Sequence, residues 1–189
     1  MVLVSELSPE DYARRCLDGD REAFAAIYDR YADDVQRVLI AMRVGLDHQQ
    51  IEDAVQEAFL RLYRALGRLD LEKPLRPYLL RIARNLALDG WRRAGRETPL
   101  EGDPIGGEEA AVVAGRAEGS TLIDQAVHAL DPSQRSVLAL RHEASLTMKE
   151  LAAVLECSVP TARARLREAA LLLGVELRRR GVYPQGHVQ

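Results

Sequence analysis

The segment TMKELAAVLECSVPTARARL, residues 147–166, decides the fold of the second half of the chain. Thr147 and Glu150 have the spacing of a capping box, in which each side chain accepts a hydrogen bond from the other residue's backbone N–H, so a helix begins there. Residues 156–158 form a turn, and the Ser158 side chain caps a second helix. The pattern predicts a helix-turn-helix, whose second helix lies in the major groove of DNA.

The second helix of this motif has an apolar side and a polar side. At about 100° per residue, its buried stripe consists of Ala162, Leu166, Ala169 and Leu173. The N-terminal part of the helix and its polar faces present six residues to phosphates and base edges, namely Ser158, Thr161, Arg163, Ala164, Arg165 and Arg167. A plain helical hairpin with a solvated arginine face is the alternative interpretation of this stretch.

Helix signals run through the rest of the chain as well, because apolar residues recur at intervals of three and four, which predicts an all-α protein. Caps and breakers predict four helices in the first domain: one after Ser8, one from Asp20 to about Val44, one from Asp47 to about Gly67 and one from Pro74 to about Arg93. Asp131 and Pro132 begin a further helix that ends near His142.

A change of composition separates two domains. Residues 97–120 are rich in Gly, Pro and acids and have little periodic apolar content, which predicts a flexible linker. We therefore divide the chain into a helical domain at 1–96, an acidic linker at 97–120, a helix-turn-helix domain at 121–175 and a C-terminal tail at 176–189. The tail is interpreted either as a frayed basic end or as a short docking segment.

The charge of the chain is unusual for a protein that reads DNA, since the formal net charge is -3. Residues 1–96 hold 16 basic and 16 acidic side chains, residues 97–120 hold 1 and 6, and residues 121–189 hold 9 and 7, so the three segments carry 0, -5 and +2. The acidity therefore lies in the linker. With so few surplus cations, the free chain is expected to bind DNA weakly by itself.

Several classes of protein are disfavoured by the composition. No apolar run approaches the roughly 20 residues of a membrane span, so we expect no membrane insertion and a cytoplasmic location. Cys16 and Cys157 are far apart, which predicts structural thiols in place of a disulfide framework or a metal site; a redox switch is the alternative. Four scattered histidines without a nucleophile motif give no catalytic site, so we expect no enzyme activity, cofactor or small-molecule substrate.

Two stretches of the first domain carry further information. IEDAVQEAFLRLYRAL, residues 51–66, buries Ile51, Val55, Phe59 and Leu62 and exposes acid and amide side chains. RPYLLRIARNLALDGWRR, residues 76–93, gathers Tyr78, Arg81, Arg84, Asn85 and Arg92 on one side of a helix. Basic groups beside an aromatic ring suit a groove that holds phosphates and stacks an unpaired base, whereas the alternative is a core tyrosine with solvated arginines.

These stretches together resemble the extracytoplasmic-function sigma factors, the small two-domain promoter-recognition subunits of bacterial RNA polymerase. EDAVQEAFLRLYRAL is similar to the family helix that docks on the polymerase, and LLRIARNLALD is similar to the family's minus-10 segment. Residues 130–166 are similar to the minus-35 domain. The resemblance covers about residues 20–96 and 122–173, and it implies a factor that binds core polymerase and promoter DNA.

The resemblance implies roles for particular residues. Asp53, Gln56 and Glu57 match the polymerase-docking motif. The loop at about 69–76 matches the one that captures a flipped base, so Leu75 and Arg76 join the minus-10 set with Tyr78, Arg81, Arg84, Asn85 and Arg92. Ser158, Thr161, Arg163, Ala164, Arg165 and Arg167 become the minus-35 set. The resemblance also implies control by an anti-sigma factor.

Some positions depart from the usual family pattern. Tyr78 stands where a tryptophan is common, and Pro160 stands where a glycine is usual. Glu168 places a carboxylate where arginine is frequent, which repels phosphate but can accept a hydrogen bond from cytosine. The rival hypothesis is a stand-alone transcriptional regulator that uses the helix-turn-helix on an operator and the first domain for dimerisation or sensing; such a protein needs no polymerase-docking helix.

Overall fold

The structure is a computed structural model that describes residues 7–97 and 122–182. Within those two ranges all regular elements are helical. They are α1 (Pro9–Leu17), α2 (Ala23–Met42), α3 (His48–Ala65), a 3-10 turn (Leu66–Arg68), α4 (Leu75–Glu97), α5 (Leu122–His128), α6 (Pro132–His142), α7 (Met148–Val154) and α8 (Val159–Arg179). No helix in these ranges is both long and apolar enough to cross a lipid bilayer.

The helix starts follow from local capping, as the sequence predicts. Thr147 and Glu150 form the expected capping box before α7, and the Ser158 hydroxyl accepts a hydrogen bond from the backbone N–H of Thr161 at 3.2 Å to begin α8. Further capping boxes precede α1, α3 and α6, at Ser8, Asp47 and Asp131. Each box satisfies backbone N–H groups that have no partner within the helix, so these starts are encoded locally.

Helix ends differ more from the predictions than helix starts do. α2 ends at Met42, two residues early, because Arg43 adopts a left-handed conformation with φ 47°. α4 continues to Glu97, and α8 continues to Arg179, where Glu176 contacts Arg179 at 2.8 Å and also pairs with Arg180. α5 was not predicted at all. Residues 98–120 of the expected linker and residues 183–189 of the tail lie outside the described residues.

The first domain buries the predicted face of α3 and a broad face of α4. Ile51, Val55, Phe59 and Leu62 of α3 are all buried, which confirms the predicted stripe. On α4 the predicted inward stripe of Leu75, Leu79, Ile82 and Leu86 is only half confirmed, because Ile82 and Leu86 are partly exposed and Leu80, Ala83, Ala87 and Leu88 lie in the core with Leu75 and Leu79. That extra burial arises because α4 packs against α2 and α3 on one side and against α6 and α7 on the other.

The two domains share one apolar core. α2 packs against α6, and α4 packs against both α6 and α7, so that Leu140, Leu146 and Leu151 belong to the same buried cluster as Leu79 and Leu80. Contacts of this kind are made between residues more than 50 positions apart. They bring the second domain directly onto α4, an arrangement that no local sequence pattern predicts.

Charged groups close the junction between α2 and the second domain. The Arg43 guanidinium pairs with Asp124 of α5, and the buried Arg135 of α6 donates a hydrogen bond to the Arg43 carbonyl oxygen. Arg135 also lies 3.4 Å from Nδ1 of His128, which is half-buried at the end of α5. Burial lowers the pKa of His128, and the positive charges of Arg135 and Arg43 lower it further, while Asp124 opposes them.

This junction makes stability depend on pH. The pKa of His128 is lower in the folded chain than the ordinary 6.5. The neutral form of His128 therefore contributes fully to the free energy of unfolding above about pH 6.5, and this contribution is lost as the pH falls through the pKa of the folded chain. Between pH 7 and pH 5, the free energy of unfolding measured with urea should fall less for His128→Asn than for the native chain. His142→Asn, at an exposed histidine of α6, is the matched control and should leave the profile as in the native chain. If the two variants show the same dependence of stability on pH, His128 is not the cause of the effect.

Candidate nucleic-acid and partner interfaces

The N-terminal half of α8 presents the predicted DNA-reading residues to solvent. Ser158, Thr161, Arg163, Ala164, Arg165 and Arg167 are all exposed. Opposite them, Ala162 and Ala169 are buried, and Leu166 and Leu173 pack against the core of the second domain, as predicted. Pro160 occupies the first turn of α8, where its missing N–H costs no helical hydrogen bond. The geometry is that of a helix able to enter a major groove.

Glu168 is also exposed on α8, one residue after Arg167 and three residues after Arg165. A ligand that the predicted residues Arg165 and Arg167 contacted would therefore lie near its carboxylate. A negative charge at this place weakens contact with phosphate but provides an acceptor for a base edge.

The predicted docking residues lie on one face of α3. Asp53 and Gln56 are exposed, and Glu57 is partly exposed with its carboxylate 2.6 Å from Nε of Arg61. Asp53 accepts a hydrogen bond from Gln49 at 3.2 Å. These are local contacts on a solvated helix, so the carboxylates remain available to a basic partner.

The same face has an apolar part that was not predicted from the sequence. Leu60 is 43% exposed and lies one turn beyond Gln56 and Glu57. Tyr63 is held edge-on to Phe24 with centroids 5.1 Å apart, and Tyr28 packs on Phe59 at 4.6 Å, yet both tyrosines remain about 40% exposed. Tyr28 belongs to α2, so only the packing of the two helices places it beside α3. Rigid exposed aromatics are typical anchors of protein interfaces.

The start of α4 positions two of the predicted minus-10 residues differently from the rest. Leu75 is only 2% exposed, and its backbone N–H donates to Glu10 at 2.9 Å, so its side chain belongs to the core and is not presented to DNA in this conformation. Arg76 is partly buried, pairs with Asp34 at 2.6 Å and donates to the carbonyl oxygen of Ala144 at 2.7 Å. The loop residues are thus already engaged within the chain.

The remaining predicted residues of α4 do lie together. The Arg81 guanidinium lies over the Tyr78 ring, 4.7 Å from its centroid, and the Arg84 guanidinium donates to the Asn85 side chain at 3.3 Å. Arg92 pairs with Asp89 at 2.9 Å. A row of guanidinium groups beside an aromatic ring and an amide is the chemistry that a single strand requires.

Two of these arginines also contact the second domain. Arg81 pairs with Glu156, in the turn of the helix-turn-helix, at 2.6 Å. Arg84 donates from Nε to the hydroxyl of the buried Ser136 at 2.9 Å. Burial lowers the pKa of Arg84, and the nearby charges of Arg165 and Arg92 lower it further. Positive charges of α4 and α8, the two predicted DNA-reading helices, therefore lie close enough to affect one another.

Family models match both domains. Residues 27–97 match Sigma-70 region 2, and residues 120–173 match Sigma-70, region 4. The first match spans the face of α3 that carries Asp53, Gln56 and Glu57 and the arginines of α4, and the second spans the helix-turn-helix. Together the two matches reproduce the order of the domains found in the structure.

Individual relatives are similar to this chain over most of its length. The ECF RNA polymerase sigma factor SigW of Bacillus subtilis is 30% identical over 175 residues, covering 85% of this chain and 91% of the relative. Among solved structures, CnrH in complex with the cytosolic domain of CnrY has a TM-score of 0.67 at 25% identity and covers 90% of this chain and 97% of that one.

A second solved structure extends the likeness in fold. The sigma factor RpoE in complex with the anti-sigma factor NepR from Bartonella quintana has a TM-score of 0.55 at 22% identity, covering 80% of this chain and 96% of that one. Both structural matches include helices of both domains. With matching family models in each domain and a 30% identical relative that it covers almost completely, this chain belongs to the extracytoplasmic-function (ECF) family of RNA polymerase sigma factors.

Proposed function

We propose that the chain acts as an alternative sigma factor that binds bacterial core RNA polymerase, recognises minus-35 and minus-10 promoter elements and melts the start site. The observation that carries this proposal is the presence of three surfaces in one chain. These are the carboxylate face of α3, the arginine row of α4 and the exposed arginines of α8. A DNA-binding regulator without polymerase needs only the third.

The division of work among the surfaces follows from their chemistry. Asp53, Gln56 and Glu57 would pair with basic groups on polymerase by charge-assisted hydrogen bonds. The arginines and Tyr78 of α4 would hold phosphates and stack a base of the separated strand, which offsets the few kcal/mol lost when that base leaves the duplex. The polar face of α8 would read the minus-35 element in the major groove.

Attachment to polymerase also explains how a chain of net charge -3 reads DNA. A factor held on polymerase binds DNA as an intramolecular event, so its effective concentration at the promoter is high and its own basic surplus matters little. In keeping with this role, we propose a cytoplasmic protein without enzyme activity of its own.

We further propose that an anti-sigma factor controls this chain. The support is the structural likeness to RpoE, which was solved in complex with the anti-sigma factor NepR. An inhibitor that covers the α3 face and the α4 row would block polymerase and DNA together.

A run-off transcription assay tests the function. Core bacterial polymerase is mixed with the protein and a library of promoter fragments whose minus-35 and minus-10 boxes vary. Transcripts that start at a shared pair of motifs are the expected result. Tight binding of the protein alone to one operator sequence, with no transcripts, would support the stand-alone regulator and overturn the proposal.

Glu168 allows a separate test of the minus-35 assignment. We expect Glu168→Arg to tighten the binding of the polymerase-bound factor to a minus-35 fragment by roughly threefold to tenfold. The carboxylate of Glu168 repels a DNA phosphate, whereas the guanidinium of the variant would contact it. Glu143→Arg, at an exposed site of the same domain away from α8, makes the same charge change and is the control. Equal gains for both variants in a competition assay would show that the effect is only general attraction.

A further inference from the structure

We propose that the C-terminal half of α8 pairs with the same segment of a second copy of this chain, in antiparallel orientation, so that the protein forms a weak homodimer. The surface consists of five exposed residues, which we name the α8 stripe: Glu168, Leu171, Leu172, Val175 and Arg178. The inference is independent of the proposed function, because the pairing involves neither polymerase nor DNA.

The centre of the α8 stripe is apolar and faces solvent. Leu171 is 64% exposed, Leu172 is 38% exposed and Val175 is 37% exposed. A single exposed leucine is ordinary in a folded protein, whereas neighbouring exposed apolar side chains mark an interaction surface. The helix continues beyond them to Arg179, so these side chains belong to a regular helix and not to its end.

The α8 stripe lies on the opposite side of the helix from the core of the second domain. At about 100° per residue its five members fall within about 120° of arc, roughly 130° away from the buried Ala162 and Ala169. Leu166 and Leu173 pack on the core side, against the cluster that contains Ala169. One apolar face of α8 therefore packs within the domain, and the second faces outward.

The two ends of the α8 stripe carry opposite charges. Glu168 precedes the aliphatic residues and Arg178 follows them. Within residues 7–97 and 122–182, neither of these two side chains has an ion-pair or hydrogen-bond partner. Glu176, by contrast, pairs with both Arg179 and Arg180. The stripe thus begins with a carboxylate and ends with a guanidinium that are both available to a partner.

This pattern is complementary to itself when two helices run antiparallel. A twofold axis at Leu173 places Glu168 of one copy opposite Arg178 of the other, because each lies five positions from the axis. The same axis places Leu171 opposite Val175. Each contact occurs twice, as in any isologous interface. A parallel pair would instead place like charges together, so the charges select the antiparallel arrangement.

The pairing leaves most of the predicted minus-35 residues uncovered. The axis at Leu173 aligns residues 158–165 of one copy with position 181 and later positions of the other, beyond the end of α8 at Arg179. Of the predicted minus-35 set, Arg167 alone falls within the paired length. Self-association and DNA reading therefore use different halves of one helix.

The short length of the α8 stripe predicts weak association. Residues 168–178 span about 15 Å of helix at about 1.5 Å per residue. Such a contact buries less than the roughly 1,000 Å² that a stable interface needs. We therefore expect a dissociation constant on the order of 0.1 mM, so that the dimer forms at high protein concentration.

Sedimentation velocity of the full chain, without polymerase or DNA, tests the proposal. Between about 10 μM and 1 mM, the mean mass of the native chain should rise from that of a monomer toward twice that value. Leu171→Gln should weaken association at least about tenfold, because both copies lose their most exposed apolar contact. Leu17→Gln, at a 52% exposed leucine of α1, is the matched control and should associate like the native chain.

A charge swap tests the antiparallel arrangement itself. Glu168→Arg and Arg178→Glu should each weaken association by about threefold to tenfold, because like charges then face each other twice. Both substitutions in one chain restore opposite charges, so this double variant should associate within about twofold of the native chain. Lys149→Glu reverses a charge at an exposed site of α7 and should leave association unchanged.

Several results would overturn the proposal. One is a native chain that remains monomeric at the highest concentration, and another is a double charge variant that associates no better than the single variants. Equal losses for Leu171→Gln and Leu17→Gln would also refute the assigned surface. If the chain is monomeric and Leu171→Gln instead weakens its affinity for core polymerase, the α8 stripe is a polymerase contact and the homodimer is refuted.

Discussion

Asp53→Lys with Glu57→Lys should abolish transcription with core polymerase. Both carboxylates lie on the solvated face of α3, where Asp53 contacts Gln49 and Glu57 contacts Arg61. Truncating one partner of a charged interface pair costs about 2–5 kcal/mol, and reversal adds repulsion, so each substitution should weaken binding at least about thirtyfold. The affinity of core polymerase for the labelled factor is the quantity to measure.

The control for this result uses the neighbouring helix. Asp29→Lys with Asp33→Lys makes the same total charge change at two exposed positions of α2. It should retain polymerase binding within a few-fold. If both double variants lose affinity equally, the net charge of the domain matters and the α3 face does not. If neither loses affinity, the docking assignment is wrong, even though the family membership stands.

Tyr78→Ala is expected to produce the second large effect, a loss of promoter melting. Stacking of a base on an aromatic side chain contributes about 1–3 kcal/mol, so transcription from a duplex promoter should fall roughly tenfold to a hundredfold. Transcription from a promoter that is already unpaired over the minus-10 region should fall less, because no base has to leave the duplex.

Tyr78→Phe separates stacking from other roles of this residue. The ring remains and the hydroxyl is lost, so activity should stay near that of the native chain. Tyr78 also packs against the apolar core, and Arg81 lies on its ring, so thermal unfolding of each variant must be compared. Equal losses on duplex and unpaired templates, together with a lowered melting temperature, would indicate a structural role and would contradict the assignment to melting.

The packing of the second domain on α4 bears on both predictions. The predicted docking residues lie at least partly exposed on α3, whereas Arg76, Arg81 and Arg84 of the predicted minus-10 set contact the second domain. The two predictions therefore concern surfaces that differ in exposure in the free chain.

Much of the fold was predictable from the sequence, because it depends on neighbours within a few residues. Thr147 and Glu150 are three positions apart, and their capping box appears as predicted. The apolar stripes of α3 and α8 also depend only on helical periodicity. For the same reason the polar faces, and hence the candidate residues, could be identified before any packing was known.

Other features were missed because the deciding contact lies far away in the chain. Arg43 ends α2 in a left-handed conformation, and its carbonyl accepts a hydrogen bond from Arg135, 92 residues later. Helix α5 is only seven residues long and carries weak signals, yet Asp124 and its packing on α8 hold it in place. Leu75 lies within a predicted DNA loop but is buried, because Glu10 and the core fix the start of α4.

The sequence by itself determined the helical class, the helix starts that have a side-chain cap, the helix-turn-helix and the faces that carry Asp53, Arg84 and Arg165, because capping and periodicity are properties of short segments. Only the tertiary structure decided which of these faces are free. Arg76, Arg81 and Arg84 belong to the predicted minus-10 set, and they contact the second domain because the apolar surfaces of α4, α6 and α7 are buried against one another. Such burial depends on contacts between distant segments, and no local pattern encodes it.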